Sequence, residues 1–527
     1  MGRTYSPAAP ALLPLSPWEQ LLAFSVLTKV LLWHAYQSTD FEVHRNWLAL
    51  THQLPMAQWY EEATSKWTLD YPPLFAWFEW LLSQAAPWVD PGMLSITATA
   101  YTSWACTIFQ RFTVVLTELV LWYALTQLRK VPMLRSSALV LGALTLLNPG
   151  LYIVDHIHFQ YNGMLYGLLL LSLGHVLQGN DWWGGVFFAI LLNFKHIYAY
   201  VAPAYFIYFL SGYCLAQSRN EQGCYEWPRV VKRLVALGSG VIAVFAVSLG
   251  PFAYYGQLPQ LLARLFPFKR GLCHALWAPN AWALYSTLDR VLIKAWQVYG
   301  WPVDATAALT TTRGLVGNTQ FGVLPNISPL TTFVLTVLAQ LPALVGLFQH
   351  PTRAHLVRVL VLAALTSFLF GWHVHEKAIM LVSIPMALLL GPNEPTTNRL
   401  YYLLNVAGSN ALLPLLHEPM ETPLKLIIFA LWAVVAFFCL GLGRECSGQA
   451  MGKLPWPVYA IRCLELGYVL GFPVLQLYTS VVHPLLPLHQ QALQFLPLLL
   501  TACYSAIGVV YVWISYYYWL LTTTCLD

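Results

Sequence analysis

The 527-residue sequence predicts an all-α, polytopic membrane protein, and three observations predict it. Hydrophobic residues make up 58% of the chain and charged residues only 9%, more apolar surface than one soluble core can hide. Mean hydropathy is +0.58. Charge-poor apolar runs of about 20 residues, the length a spanning helix needs, recur from one end of the chain to the other. Nine cysteines are scattered singly, without C-x-x-C or a zinc spacing, so neither a disulfide framework nor a metal domain is indicated. A net charge of +5 without basic-aromatic runs argues against nucleic acid as a partner.

Taken in order, about fourteen candidate spans lie near 17–36, 108–128, 136–154, 162–179, 183–196, 197–213, 233–252, 329–349, 355–372, 377–392, 400–416, 424–442, 457–480 and 494–521. The first follows a weakly charged stretch with no small-residue cleavage site and reads as a retained signal anchor. A further apolar segment, Trp282 to Tyr299, is interrupted by Asp289, Arg290 and Lys294. Lys and Arg accumulate in cytoplasmic loops. Such residues fall between spans two and three (Arg129, Lys130, Arg135), six and seven (Arg219, Arg229, Lys232, Arg233), eight and nine (Arg353, Arg358), and twelve and thirteen (Arg444, Lys453). The parity closes when 282–299 does not cross but lies as a re-entrant or surface helix within one long loop, 253–328. Both termini then face the cytoplasm. Loops 37–107 and 253–328, with the short ones at 155–161, 373–376, 417–423 and 481–493, face the other side. The one N-x-[ST] sequon, Asn326-Ile327-Ser328, also falls on that side, where glycosylation occurs.

Five polar constellations converge on that face: QSTDFEVHR with Asp40 and Glu42; WTLDYPP with Asp70; DHIHFQYNG with Asp155, His156, His158, Gln160 and Asn162; RLFPFKRGLCHALWAPN with Arg264, Lys269, Arg270 and His274; and GWHVHEKA with His373, His375, Glu376 and Lys377. Each has an ordinary reading. Charges at helix ends anchor interfaces, Asp-Tyr-Pro-Pro is a turn, and the three cations suit lipid headgroups. His-x-His pairs point apart on a helix or strand, so no metal is expected. The ordinary readings do not explain why acids, histidines, amides and cations gather on one side. Carboxylates that accept protons, cations beside the lipid boundary and aromatics that stack on sugars (Trp59, Tyr60, Trp67, Trp282) suit a lipid-phosphate sugar donor. Transfer from such a donor needs a general base for the acceptor hydroxyl. Phosphate already leaves well, so cations replace the general acid of a glycosidase.

These motifs, together with QWYEEATSKWTLDYPPLFAWFE and FKHIYAYVAPAY, resemble the endoplasmic-reticulum α-1,3-glucosyltransferases that use dolichyl-phosphate glucose in asparagine-linked glycosylation. The resemblance runs from about Ser38 to about Leu389. It divides the chain into a transmembrane catalytic module, 1–392, with lumenal loops 37–107 and 253–328, and C-terminal helices 393–527 of the same membrane domain. DFEVHRNW, KRGLCHALWAPN and WHVHEK resemble the branch that adds the second glucose, the alternative being addition of the first. The resemblance implies a C-type glycosyltransferase fold and an inverting reaction. Its donor is dolichyl-phosphate glucose, its acceptor a dolichyl-pyrophosphate-linked oligosaccharide. It further implies a multi-pass protein among endoplasmic-reticulum lipids, a lumenal site and no cofactor. Asp40 matches the catalytic aspartate, and Asp70 matches a residue orienting sugar hydroxyls. Arg264, Lys269, Arg270, His375 and Lys377 match basic positions for the dolichyl phosphate, and His158, Gln160 and Asn162 match a motif for sugar recognition or support of the site. Glu42 and Glu376 belong to the same motifs and are assigned to substrate binding. For Glu42, tuning Asp40 and anchoring its loop stand as alternatives. Two readings from other classes compete. A transporter predicts ionisable residues at mid-membrane, where only Lys29 and Glu118 stand out, and a non-catalytic subunit of glycan assembly predicts a replaceable Asp40.

Overall fold

A computed structural model describes residues 15–266, 271–303, 320–486 and 493–523. All of its regular elements among the described residues are helices, joined by turns and two isolated β-bridges. A helix lies on each of the fourteen expected spans. Nine helical runs among the described residues are long and apolar enough to cross a membrane: Trp104–Leu128, Ala138–Ile157, His196–Ser218, Trp227–Tyr254, Pro329–Gln349, Arg353–Phe370, Pro419–Cys439, Trp456–Leu485 and Leu496–Thr523. The remaining expected spans fall on shorter or more polar helices, among them Pro17–Val30, Asn162–Leu177, Asp181–Phe194 and Pro395–Leu412.

Local chemistry starts these helices. Ser16 and Glu19 form a reciprocal capping box ahead of Pro17, which fits the first helical position because its missing N–H has no helical partner there. Ser38 and Ser103 cap the helices Thr39–Gln53 and Trp104–Leu128 by a side-chain oxygen that accepts the amide of Phe41 and of Cys106.

Arg353–Phe370 and Pro395–Leu412 are almost wholly buried, while Trp227–Tyr254 and Pro329–Gln349 turn Ile242, Val247, Phe333 and Leu338 outward as a lipid-facing helix would. Trp104–Leu128 packs along Asn162–Leu177, and Gly167 makes the approach possible. A Cβ there would lie 2.6 Å from the Leu121 backbone nitrogen, which cannot move aside. The doubtful segment 282–299 is the helix Ala281–Val298, which lies against Leu496–Thr523 and falls outside the nine. Its Asp289 accepts the amides of Gly322, Val323 and Leu324 at 2.8–3.0 Å, so the charge that interrupts the apolar run pins a loop.

Two loop helices, Thr39–Gln53 and Pro73–Ser83, pack against each other between the first two membrane helices. The charges Lys29 and Glu118 are paired inside the bundle. Lys29 donates to Glu118, whose other oxygen meets His156 Nε2 at 2.6 Å.

Candidate functional site

Asp40 occupies the first turn of Thr39–Gln53, where Ser38 accepts the Phe41 amide at 3.2 Å. The Ser38 hydroxyl also donates to the His158 carbonyl, joining this helix start to the segment that carries DHIHFQYNG. That segment ends its span in a π-helical turn, Tyr152–Ile157, and Phe159 then adopts φ +88°. A left-handed non-glycine residue costs about 1–3 kcal/mol and persists only where its surroundings impose it. Here the Phe159 ring is buried against Phe41, His44 and Tyr161, at centroid distances of 5.1, 5.5 and 5.5 Å. The consequence is that His158 and Gln160, two residues apart, both reach Asp40.

One carboxylate oxygen collects the contacts. Asp40 Oδ2 accepts from Lys377 Nζ at 2.5 Å and from Gln160 Nε2 at 2.6 Å, and His158 Nε2 stands 3.4 Å away. Oδ1 receives no hydrogen bond from the described residues, and 24% of the side chain is accessible. Behind this layer, Gln160 Oε1 accepts from Asn162 Nδ2 at 2.8 Å and from Lys195 Nζ at 3.4 Å, which turns the amide so that its NH2 faces Asp40. Lys195 also donates to Asn162 Oδ1 at 2.8 Å, and Asn162 donates to Asp155 Oδ1 at 2.8 Å. Half-buried Asp70 lies within electrostatic reach of Lys195, whose ammonium sits over the Tyr71 ring at 5.0 Å.

Burial alone raises the pKa of the Asp40 carboxyl, but the opposing effects, led by the Lys377 charge, outweigh it and hold the group well below the usual carboxylate range. Burial, reinforced by the Lys377 charge, lowers His158, so its imidazole is neutral at pH 7. The site therefore presents an ionised carboxylate with one unoccupied oxygen beside a cation and a neutral imidazole.

On its other side the cluster continues into GWHVHEKA. His373 and His375 diverge, with ring planes at 83°, and His373 Nδ1 bonds the Gly271 carbonyl at 2.7 Å. His375 packs instead on His274, centroids 3.8 Å apart, and His274 Nδ1 meets Glu376 Oε2 at 3.2 Å. Burial works against ionisation of Glu376, but the bond to His274 and the neighbouring positive groups prevail and bring it to about 2; burial drives His375 well down. His274, His375 and Glu376 offer ligand atoms within 4.8 Å of one another, a set that could hold a divalent ion. His-x-His spacing does keep His373 and His375 apart, but the fold brings His274 from the long loop to His375 in place of His373.

The structure thus brings together Asp40, His158, Gln160, Asn162 and Lys377, with His375 and Glu376 adjoining and Asp70 beside Lys195. Glu42 does not join them. Its Oε1 accepts from Arg45 Nε and Nη2 at 2.8 and 2.5 Å and its Oε2 from the Tyr101 amide at 3.1 Å, which locks the helix start to the following loop. Arg264 stands on Leu258–Leu265, donates to the Glu62 carbonyl at 3.5 Å and makes no hydrogen bond to the Asp40 network. Lys269 and Arg270 lie outside the described residues. Trp59, Tyr60 and Trp282 are packed inside, at 2%, 0% and 5% exposure, and offer no face to a sugar; Trp67 is half-buried.

Sequence reasoning passed over three residues of the network. Lys195 lay within FKHIYAYVAPAY but carried no assigned role. Arg111, 2% exposed, donates to the carbonyls of Ala35, Tyr36, His156 and Ile157, strapping the Asp40 and His158 segments together; a lone arginine inside an apolar span is the signal that marks it. Tyr36 closes an apolar run and gives no signal at all.

Comparison with known proteins assigns this architecture to a class. The chain belongs to the ALG6, ALG8 glycosyltransferase family, whose model matches residues 25–516, and its fold is that of a C-type membrane glycosyltransferase. Its relatives are more particular. The chain is 46% identical over 500 residues to the dolichyl pyrophosphate Glc1Man9GlcNAc2 alpha-1,3-glucosyltransferase of Gibberella zeae, covering 93% of this chain and 95% of that protein. Proteins of the same name from Bos taurus and Arabidopsis thaliana are 43% and 41% identical, over 95% and 93% of this chain and 95% of each relative.

Proposed function

We propose that this chain transfers glucose from dolichyl-phosphate glucose to the dolichyl-pyrophosphate-linked oligosaccharide Glc1Man9GlcNAc2, adding the second glucose in α-1,3 linkage, with Asp40 as general base. The observation that carries the reading is an Asp40 whose Oδ2 is already held by Lys377 and Gln160 while its Oδ1 receives no hydrogen bond from the described residues. Such a carboxylate is fixed in direction and ionised, so an acceptor 3-hydroxyl approaching Oδ1 meets a base that needs no rearrangement.

As the acceptor oxygen attacks C1 of glucose from the face opposite the phosphate, configuration inverts. Charge grows on the departing phosphate. Lys377 and His375, with Arg264, Lys269 and Arg270 from the long loop, are the groups assigned to stabilise it, and no general acid is needed. Gln160, Asn162 and Asp70 are assigned to sugar hydroxyls, and Lys195 holds the first two in place. Glu376 acts through His274 and His375. The reading includes a site in the endoplasmic-reticulum lumen, cytoplasmic termini, surrounding membrane lipids, a catalytic module over 1–392 supported by helices 393–527, and no resident cofactor.

The test is reconstitution of the purified chain with dolichyl-phosphate glucose and either the unglucosylated or the monoglucosylated acceptor, with products identified by mass. Transfer to the monoglucosylated acceptor alone is expected. Transfer to the unglucosylated acceptor alone assigns the first glucose instead, and no transfer to either removes the enzyme reading.

A further inference from the structure

The base in this site has a neighbour whose protonation the geometry fixes. Tyr36 stands just beyond the first membrane helix, and its hydroxyl has two partners: the Leu415 carbonyl at 2.7 Å and His158 Nδ1 at 3.1 Å. A carbonyl only accepts, so the single phenolic proton is committed to Leu415. Tyr36 Oη must then accept, and His158 Nδ1 must be the N–H that donates. This leaves the other ring nitrogen, Nε2, unprotonated 3.4 Å from Asp40 Oδ2, a basic atom within reach of the carboxyl.

We infer that His158 Nε2 receives the acceptor's proton from Asp40, and that Tyr36 is the positioning residue that holds His158 in the tautomer able to take it. The inference rests on the reading of Asp40 as general base. In the balanced step, the acceptor O–H bond breaks as the oxygen bonds to C1, and the bond from C1 to the phosphate oxygen breaks, its electron pair leaving with dolichyl phosphate. The proton arrives on Asp40 Oδ1. A half-turn of the carboxyl about its terminal torsion exchanges its two oxygens in the contacts with Lys377 and Gln160 and brings the proton opposite Nε2, and transfer yields a carboxylate beside an imidazolium. His158, 13% exposed, then loses the proton to water, and Asp40 starts the next turnover ionised.

The groups that face His158 are consistent with a transient proton carrier. They are Asp40 from the loop helix, Tyr36 from the end of the first membrane segment, and Lys377 and Glu376 from the turn after Arg353–Phe370. Burial and the Lys377 charge keep His158 neutral before the reaction, so it is able to accept; Asp40 and Glu376 offset part of the cost once it is charged. The Leu415 carbonyl belongs to the far part of the chain, so Tyr36 has its direction set by an element remote in sequence.

Tyr36→Phe removes one oxygen and keeps the ring. His158 then loses its acceptor at Nδ1 and moves to the tautomer that donates from Nε2 to Asp40. The proposal expects kcat to fall about tenfold with KM for both lipid substrates within twofold. It also expects the acidic limb of the kcat profile to move to lower pH, because the imidazolium has lost a hydrogen-bond acceptor. His158→Gln, which donates to Asp40 but takes no proton, should lower kcat at least as far and abolish that limb. Wild-type kcat and pH profile in both variants, or a loss of kcat in which KM changes in step and the limb stays put, overturns the relay. Asp40→Asn in the same assay separates the two levels of the argument. If it is inactive while Tyr36→Phe and His158→Gln behave as wild type, only the relay fails; if it is fully active, the general-base reading fails with it.

Discussion

Asp40→Asn is the substitution that most directly challenges the reading of the site, and the structure specifies its outcome. The asparagine carbonyl at the position of Oδ2 still accepts from Lys377 and Gln160, at the present 2.5 and 2.6 Å, so the network keeps its shape. The amide nitrogen then occupies the position of Oδ1. It presents a donor to the acceptor hydroxyl and removes no proton. Loss of a positioned base costs typically about 10²–10⁴ in rate, which is about 3–5 kcal/mol of barrier. Stability should change little, by about 1 kcal/mol, because the Gln160 bond becomes an ordinary one and the Lys377 bond loses its counter-charge while neither is lost. Asp40→Ala differs in leaving Lys377 and Gln160 without an acceptor and should unfold earlier on heating. The assay is the initial rate of glucose transfer in detergent, read by mass, alongside thermal unfolding of the same preparations. A folded Asp40→Asn enzyme working within tenfold of the wild-type rate would refute the assignment.

Three other perturbations follow from contacts of the same network. Arg111→Leu deprives the Ala35, Tyr36, His156 and Ile157 carbonyls of their shared donor inside the bundle. It should destabilise the protein by about 3–5 kcal/mol, visible as an earlier thermal transition, with loss of transfer as the Asp40 and His158 segments separate. Lys377→Met takes away the charge that depresses both Asp40 and His158. Both groups must be deprotonated to act, and both then hold their protons to higher pH, so the acidic limb of kcat/KM should move upward as the rate falls. The sign for stability agrees: the Asp40 contribution is present above its unfolded pKa of about 4 and lost as pH falls through the depressed folded value, and Lys377→Met removes that dependence. Exhaustive chelation should leave the transfer rate unchanged, since no step proposed uses a metal; a chelator-sensitive rate restored by a divalent ion, and abolished in His274→Ala, would assign a metal to His274, His375 and Glu376.

What the sequence disclosed and what it withheld divide along a physical line. Long apolar runs announce themselves through composition, and helices lie where those runs are. Clusters of charged and polar residues in a charge-poor chain also stand out, so Asp40, His158, Gln160, Asn162 and Lys377 were visible as candidates although they come from three separate segments. Their mutual approach was not visible, because it depends on the π-helical exit at Tyr152–Ile157 and the positive φ of Phe159, which no periodicity encodes. The same limit explains Glu42. Three residues before Arg45 on one helix, its pairing through Oε1 is a local i, i+3 contact, yet its motif membership pointed toward the substrate. Trp59, Tyr60 and Trp282 mislead in the opposite sense, since an aromatic suited to a sugar is equally suited to a core.

The least legible contribution comes from the region after residue 392. Its helices offer no motif, only hydropathy. The structure nevertheless carries two of its groups back to the end of the first membrane segment: the Leu415 carbonyl takes the Tyr36 hydroxyl at 2.7 Å, and Glu421 Oε1 accepts the Tyr36 amide at 3.1 Å. Backbone acceptors leave no trace in a sequence, because any residue supplies one. A carbonyl is nonetheless a rigid way to fix a hydroxyl, having no rotamers of its own and no proton to give. The direction of the Tyr36 proton, and through it the tautomer of His158 beside Asp40, therefore depends on the course of the chain around 413–416 and not on which side chains are found there.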